Sequence, residues 1–153
     1  MMQKINIKKL CESDLDLLKS CAELEQICIP DCWSYASFLS EIKKINSYIL
    51  VALNNSNQVV GFLTANFVLD TADLTNIAVA PEFRKQGIAT ALLKFLLQEL
   101  NHCKIFLEVR ISNIPAINLY QKFNFKQVGI RKRFYQNPIE DAILMQYGDE
   151  NLC

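Results

Sequence analysis

The chain lacks an excess of charge of either sign, because 16 Lys and Arg residues balance 16 Asp and Glu residues. We therefore expect no general attraction to nucleic acid or to an anionic membrane. No apolar run approaches the roughly 20 residues that a membrane span needs. The segment Met1–Lys9 alternates lysine with isoleucine and lacks the continuous apolar region of a secretion signal. These absences predict a cytoplasmic protein.

Histidine is almost absent, and the cysteines lack the paired spacings of a zinc site. Of the six cysteines, Cys28 and Cys32 are close together, but no second pair follows and the single histidine, His102, lies far along the chain. Most of the cysteines fall in apolar patterns, where a free thiol behaves as a small buried hydrophobe. The sequence therefore predicts reduced, structural cysteines and no metal site.

Glycine and proline are also scarce, with four of each, and no repeat, linker or low-complexity segment interrupts the chain. Hydrophobic residues make up 51% and charged residues 21%, which is typical of a globular protein. A chain of 153 residues has the usual length of one domain. We therefore predict a single domain that covers residues 1–153.

Hydrophobic periodicity predicts strands and helices that alternate along the chain. The first half predicts a strand at Lys4–Lys8, a helix from Ser13 as N-cap to about Ile29, a second helix that starts at Ser34, a hairpin of Tyr48–Leu53 and Val59–Leu69, and a strand at Ala72–Val79. The apolar face of the second helix consists of Phe38, Leu39, Ile42 and Ile45. The second half predicts a helix at Gly87–Leu100, a strand at Lys104–Arg110, a helix at Ile114–Phe123, and strands at Phe125–Ile130 and Ala142–Tyr147. The fold class is α/β or α+β, with a mixed sheet that has at least one βαβ crossover.

A basic turn separates the strand that ends at Val79 from the long helix that follows it. Its sequence, Arg84-Lys85-Gln86-Gly87-Ile88-Ala89, places a glycine where the helix begins. The first backbone N–H groups of a helix have no intrahelical partner and lie at the positive end of the helix dipole. Such a turn is suited to binding a pyrophosphate. The R-x-x-G-x-A pattern alone is weak evidence, because it is short.

Glu108 interrupts the apolar run Ile105–Val109, which has the composition of a central strand. Carboxylates are seldom buried without a partner. Two interpretations follow from the residues alone. Glu108 could point to solvent at a strand end or pair with Arg110 or Arg84, or it could act as a general base.

Tyr120 lies on the apolar face of the predicted helix Ile114–Phe123, so it could be a core aromatic with a hydrogen-bonded hydroxyl or a catalytic acid. Asn113, two residues before Pro115, could cap that helix or contact a ligand. Asn124 suits the left-handed position that follows the helix.

Taken together, these features resemble the GNAT superfamily of acyl-CoA-dependent N-acetyltransferases. The resemblance covers nearly the whole chain, and its segments occur in family order: Leu74–Val79, Arg84–Ala89, Leu107–Arg110, Ser112–Tyr120 and Phe123–Phe125. The chain is also similar to a narrower group, the bacterial ribosomal-protein-alanine N-acetyltransferases. The narrower markers are Asn76–Val79, Leu107–Asn113, Gly129–Lys132, Phe134-Tyr135, Glu140–Ala142, Leu24–Gln26 and Cys32–Ser34.

The resemblance implies a GNAT fold, with mainly antiparallel amino-terminal strands, a parallel βαβ centre and about four flanking helices. It implies acetyl-CoA as the acetyl donor, without a metal, and a direct attack by the amine, with Glu108 as general base and Tyr120 as general acid. The implied acceptor is the α-amine of a protein, most narrowly the N-terminal alanine of a small-subunit ribosomal protein. The residues implied to contact coenzyme A are Ile77, Ala78, Val79, Arg84, Lys85, Gln86, Gly87, Ile88, Ala89, Thr90 and Asn113.

Two segments, Asn101–Lys104 and Arg133–Glu140, are shorter than is usual in the narrower group. We expect the second to alter the rim of the peptide site. Acidic residues that could hold a basic peptide are Glu25, Asp31, Glu140 and Asp141. The tail Asp149–Cys153 supports no prediction.

Two alternatives stay open at this point. The acceptor could be another amine, such as a different protein N-terminus, a lysine or a small metabolite. The chain could instead be a non-catalytic acyl-CoA-binding module, although the presence of both Glu108 and Tyr120 argues against that.

Overall fold

The computed structural model describes residues 4–148, so the tail 149–153 lies outside the described residues. The strands are β1 (Asn6–Lys9), β2 (Ser47–Leu53), β3 (Val59–Val68), β4 (Thr71–Val79), β5 (Lys104–Arg110), β6 (Lys126–Tyr135) and β7 (Glu140–Tyr147). The helices are α1 (Leu15–Cys28), α2 (Tyr35–Ile42), α3 (Ile88–Glu99) and α4 (Ile114–Lys122), with a short 3-10 helix at Pro81–Phe83. Each predicted element is therefore present, and most ends shift by only a few residues. The exception is β6, which was predicted to end at Ile130 and continues to Tyr135.

The strands form one seven-stranded sheet in the order β1-β2-β3-β4-β5-β7-β6. All neighbouring pairs are antiparallel except β4 and β5, which are parallel and are connected by α3. This connection is the predicted βαβ crossover, and it lies at the centre of the sheet. The mixed α/β fold predicted from the sequence is confirmed.

The two amino-terminal helices begin differently. Ser34 caps α2, because its hydroxyl accepts a hydrogen bond from the Ser37 N–H at 3.1 Å, as predicted. The prediction that Ser13 caps α1 is wrong: the N-cap is Asp14, and its carboxylate accepts instead from the Cys11 N–H at 2.9 Å. Ile45 is also misplaced by the prediction, because α2 ends at Ile42 and Ile45 is fully exposed.

Two apolar cores cover the two faces of the sheet. On β2, Leu50 and Ala52 belong to the core under α3, whereas Ile49, Val51 and Leu53 belong to the core under α1 and α2, since successive strand residues point to opposite faces. The predicted stripe of α3 is buried at Ile88, Leu92, Leu93, Leu96 and Leu100. On β5, this alternation places Ile105, Leu107 and Val109 in the α3 core, so Phe106 and Glu108 point to the other face.

The cysteines are less buried than predicted. Cys21 and Cys103 are buried, Cys28 is half-buried, and Cys11 and Cys32 are exposed, while Cys153 lies outside the described residues. All five described cysteines are free thiols. Within residues 4–148, no His, Cys, Asp and Glu side chains group to hold a metal ion. No helix in this range is long and apolar enough to cross a membrane.

Candidate active site

The sheet opens between its two parallel strands. The pairing of β4 with β5 ends at Leu74 opposite Leu107, although β4 continues to Val79 and β5 continues to Arg110. The facing edges of residues 75–79 and 108–110 therefore diverge, which leaves a gap in the middle of the sheet. Glu108 is the first residue of β5 beyond the last pair, so its carboxylate lies at this gap.

The basic turn and the start of α3 lie at the end of β4. Gly87 is the N-cap of α3 and has φ 81°, a left-handed conformation that disfavours side chains. A Cβ on Gly87 would meet no atom within 4 Å, so the backbone angle alone accounts for the glycine. The turn from Arg84 to Gly87 is exposed, and Ile88 anchors the helix in the core. The first N–H groups of α3 therefore face solvent and form a cradle suited to an anion.

Two side chains of the turn, those of Arg84 and Gln86, bind other parts of the chain. Arg84 Nε donates to the Val79 carbonyl at 3.1 Å, and its Nη2 lies 3.6 Å from the Cys28 thiol. Gln86 donates to the Glu82 carbonyl at 3.4 Å. The Val79 carbonyl thus already has partners within the chain, the Arg84 guanidinium and the Cys28 thiol.

A groove with a volume of about 730 Å³ lies on the sheet face opposite α3. Its lining residues come from the segment between α1 and α2 and from five strands: Trp33, Asn66, Asp73, Leu74, Thr75, Asn76, Phe106, Leu107, Glu108, Val128, Arg131, Phe134, Tyr135 and Leu144. The sequence singled out Glu108 in this set by its chemistry. The sequence analysis did not place Arg131, Tyr135 and Asp73 in this groove, because each comes to line it only through strand pairing.

Glu108 is 29% exposed at its side chain, and its carboxylate lies 3.4 Å from Arg131 Nε. The predictions that Glu108 pairs with Arg110 or with Arg84 are therefore both wrong. Arg110 instead donates to Glu140 at 3.3 Å and to the Gln136 carbonyl at 2.8 Å. Glu108 is thus accessible from the groove and held beside one cation. Burial, together with the negative charge of Glu108, raises the pKa of the neighbouring Tyr135 to about 12.

Tyr120 lies on the opposite face of β5 from the groove. It is 4% exposed, belongs to the core under α3, and packs against Phe125 with ring centroids 5.6 Å apart. Burial, with a smaller contribution from Tyr135, raises the pKa of Tyr120, so the phenol keeps its proton at neutral pH. Glu108 and Tyr120 therefore lie on opposite faces of the sheet, Glu108 in the groove and Tyr120 in the core under α3.

Asn113 is the N-cap of α4, and its side-chain oxygen accepts a hydrogen bond from the Ala116 N–H at 3.3 Å. Asn113 thus caps the helix through its side-chain oxygen, as one of the two interpretations predicted. Asn124 follows the helix with φ 69°, the left-handed position predicted for it.

A buried polar network supports the floor and one wall of the groove. Glu25 is fully buried, and burial raises its pKa. Its carboxylate accepts hydrogen bonds from the Asn76 side-chain amide and from the Trp33 N–H, the latter at 2.8 Å. The Thr64 and Thr75 hydroxyls extend the network with a contact of 2.7 Å. Glu25 thereby connects β4 to the segment that carries Trp33.

The acidic residues predicted to hold a peptide are engaged within the chain instead. Glu25 binds the network just described, and Asp31 accepts from the Asn137 side chain at 2.9 Å. Glu140 binds Arg110 and the Ser112 N–H, and Asp141 accepts from the Arg133 N–H at 2.9 Å. The contact of Asp31 with Asn137 also joins the α1–α2 segment to the short β6–β7 connection at the rim of the groove.

Comparison with known proteins gives one consistent family. The Acetyltransferase (GNAT) family model matches residues 17–125. The chain is 37% identical over 118 residues to the [Ribosomal protein bS18]-alanine N-acetyltransferase of Escherichia coli K12, covering 74% of this chain and 78% of that protein. It is 33% identical over 147 residues to an N-alpha-acetyltransferase of Saccharolobus solfataricus, covering 86% and 87%. The crystal structure of the ribosomal-protein-S18-alanine N-acetyltransferase from Escherichia coli superposes with a TM-score of 0.83 at 33% identity, covering 98% and 99%.

Proposed function

This chain belongs to the GNAT family of acetyl-CoA-dependent N-acetyltransferases, and from that premise we propose that it acetylates the N-terminal alanine of a small-subunit ribosomal protein. The observation that carries this proposal is the position of Glu108, which faces a groove of peptide-binding size at the gap between β4 and β5. The relatives named for alanine N-acetylation of protein bS18 support the choice of acceptor. The reaction belongs in the cytoplasm, where ribosomal proteins are made.

The donor side of the proposed site uses backbone groups. The N–H groups at the start of α3, within residues 84–90, bind the pyrophosphate of acetyl-CoA. Backbone groups of Ile77, Ala78 and Val79, on the open edge of β4, bind the pantetheine arm and the thioester. Since the Val79 carbonyl accepts a hydrogen bond from Arg84, Val79 contacts acetyl-CoA through its other atoms. Asn113 contacts the cofactor through the part of its amide that does not cap α4.

Glu108 performs the first proton transfer. An α-ammonium group has a pKa near 8, so it is mainly protonated at pH 7 and cannot attack a thioester. Glu108 takes this proton, directly or through water, and the amine nitrogen then bonds to the acetyl carbon. A backbone N–H of β4 stabilises the negative charge that develops on the carbonyl oxygen.

Tyr120 assists the departure of the thiolate. The C–S bond breaks as the amide forms, and the phenol donates its proton to the sulfur that leaves, after which solvent restores the proton. Because burial raises the pKa of Tyr120, it is present as the protonated donor but is a weak acid. Its contribution is therefore expected to be smaller than that of Glu108. The mechanism needs no covalent enzyme intermediate, so no cysteine acts as a nucleophile.

The proposal is tested by mixing the protein with acetyl-CoA and a peptide that begins with alanine and contains one internal lysine. We expect release of coenzyme A, and fragment masses that place the acetyl group on the α-amine and not on the lysine. The same peptide with a blocked N-terminus is the matched control and should give no release. Turnover of polyamines or aminoglycosides in the absence of any peptide turnover would refute the proposal.

A further inference from the structure

Asp73 stands out among the acidic residues around the groove. It is exposed, lines the groove, and lies on β4 opposite Phe106 of β5. Within residues 4–148 its carboxylate makes no salt bridge or side-chain hydrogen bond, whereas Glu108 pairs with Arg131. Glu41, behind the groove, is engaged by Lys44, Ser47 and Asn66. Asp73 is thus the carboxylate of the groove that has no partner in this part of the chain.

The charges that line the groove do not balance. Two carboxylates, Asp73 and Glu108, face one guanidinium, Arg131, and this guanidinium lies beside Glu108. An acceptor that brings a single α-ammonium group to Glu108 leaves Asp73 without a counter-charge. A second cation on the acceptor completes the pairing, which favours peptides with a basic residue near the amino end.

We propose that Asp73 is a specificity residue that binds a lysine or arginine side chain at the second or third position of the acceptor peptide. This inference rests on the proposed function and names a preference within it. The register of β4 and β5 places Asp73 within reach of a peptide side chain when the peptide's α-amine lies at Glu108. Phe106 precedes Glu108 by two residues, so a strand rise of about 3.3 Å per residue and a strand spacing of about 4.8 Å separate the Cα atoms of Asp73 and Glu108 by roughly 8 Å. Consecutive Cα atoms of a peptide are about 3.8 Å apart, so the side chain of residue 2 or 3 spans this distance.

The expected size of the preference follows from the exposure of Asp73. An ion pair between exposed groups contributes little, but a peptide that covers the groove removes part of the water around the pair. We expect kcat/KM to be roughly threefold to tenfold higher for a peptide with lysine at position 2 or 3 than for the same peptide with glutamine at that position. Because the pair stays partly exposed, the ratio should fall as the ionic strength is raised.

The test measures kcat/KM for paired peptides that begin with alanine and differ only in lysine or glutamine at position 2 or 3. Wild type should favour the lysine peptide, Asp73→Asn should bring the ratio close to one, and Asp73→Glu should retain the preference. Asp73→Lys should favour a peptide with glutamate at that position. Asp70→Asn is the matched control, since Asp70 is an exposed aspartate near Asp73 that does not line the groove.

The outcomes separate this inference from the function on which it rests. Equal use of lysine and glutamine peptides by wild type, or a preference that survives in Asp73→Asn, overturns the role of Asp73 and leaves alanine acetylation intact. Absence of turnover with every peptide, while another amine is acetylated, overturns the proposed function. Loss of the preference in Asp70→Asn would show a general surface-charge effect and would also overturn the assignment to Asp73.

Discussion

The donor side and the acceptor side of the proposed site are built in different ways. Apart from Asn113, the proposed donor contacts lie within one continuous stretch, residues 77–90, and they are mainly backbone groups of the end of β4, of the turn and of the start of α3. The acceptor groove draws its side chains from residues between Trp33 and Leu144, carried by an inter-helix segment and five strands. One side is thus local in the sequence, and the other exists only in the folded sheet.

This difference predicts how each side responds to substitution. A backbone cradle depends on the conformation of its turn, so most side-chain changes in it should have little effect. A groove made of side chains depends on each charged group, because each one occupies its own position on its strand. Three substitutions sharpen this contrast, and they are taken from the largest expected effect to the smallest.

Replacing Glu108 with glutamine should have the largest effect. The variant keeps the shape of the side chain but cannot accept the proton of the α-ammonium group, so kcat should fall by about 100-fold or more at pH 7. Since an α-amine loses its proton near pH 8, the ratio of variant to wild-type activity should rise between pH 6.5 and pH 9. Steady-state kinetics across this range provide the measurement.

The control for Glu108→Gln is the KM for acetyl-CoA, which should stay within about twofold of wild type, because the donor cradle is built by other residues. A ratio of activities that does not change with pH would contradict the role of Glu108 as the base.

Replacing Tyr120 with phenylalanine tests the one proposed catalytic side chain that lies on the α3 side of the sheet. The ring still fills the space against Phe125, so the fold should be preserved. Without the phenol proton, kcat should fall by about tenfold, less than for Glu108→Gln, because a thiolate is already a good leaving group. Pre-steady-state measurement of thiol release, with acetyl-CoA affinity unchanged, is the check. Wild-type turnover would remove Tyr120 from the mechanism.

Replacing Gly87 with alanine tests the backbone cradle directly. The added Cβ meets no atom within 4 Å, so the change acts through the left-handed backbone at φ 81°. A cost of about 1 kcal/mol for this conformation should raise the KM for acetyl-CoA by about fivefold and leave the peptide KM unchanged. The matched variant is Gln86→Ala, whose side chain bends toward Glu82 and whose loss should change the KM less than about twofold. A larger effect at Gln86 than at Gly87 would show that side chains form the cradle.

Local patterns were sufficient for most of the fold. The seven strands and four helices of the described residues agree with the predicted ones, because alternation and helical spacing of apolar residues are properties of short segments. Three errors lie at the ends of elements: the start of α1, the end of α2, and the end of β6, which continues past the predicted Ile130 to Tyr135. Ser13 and Asp14 are both good capping residue types, so the pattern of neighbouring residues does not distinguish between them, and the helix begins after Asp14. The apolar spacing continues to Ile45, although the helix stops at Ile42.

The proposed site likewise contains features that could be predicted from neighbouring residues and features that depend on the order of the strands. The turn Arg84–Ala89 and the carboxylate Glu108 could be recognised from neighbouring residues, since a glycine before a helix and a charge inside a strand are visible locally. The pairing of Glu108 with Arg131, and the engagement of Arg110 by Glu140, could not be predicted. Both depend on the order β5-β7-β6, which brings distant segments side by side.

The sequence by itself determined the elements, the family and the start of α3, because these follow from residues a few positions apart. Only the tertiary structure decided which carboxylates are engaged within the chain and which one, Asp73, faces the groove with no partner among residues 4–148. The reason is that strand order and register, set by burial of two apolar faces over the whole sheet, choose the neighbours of each charged side chain.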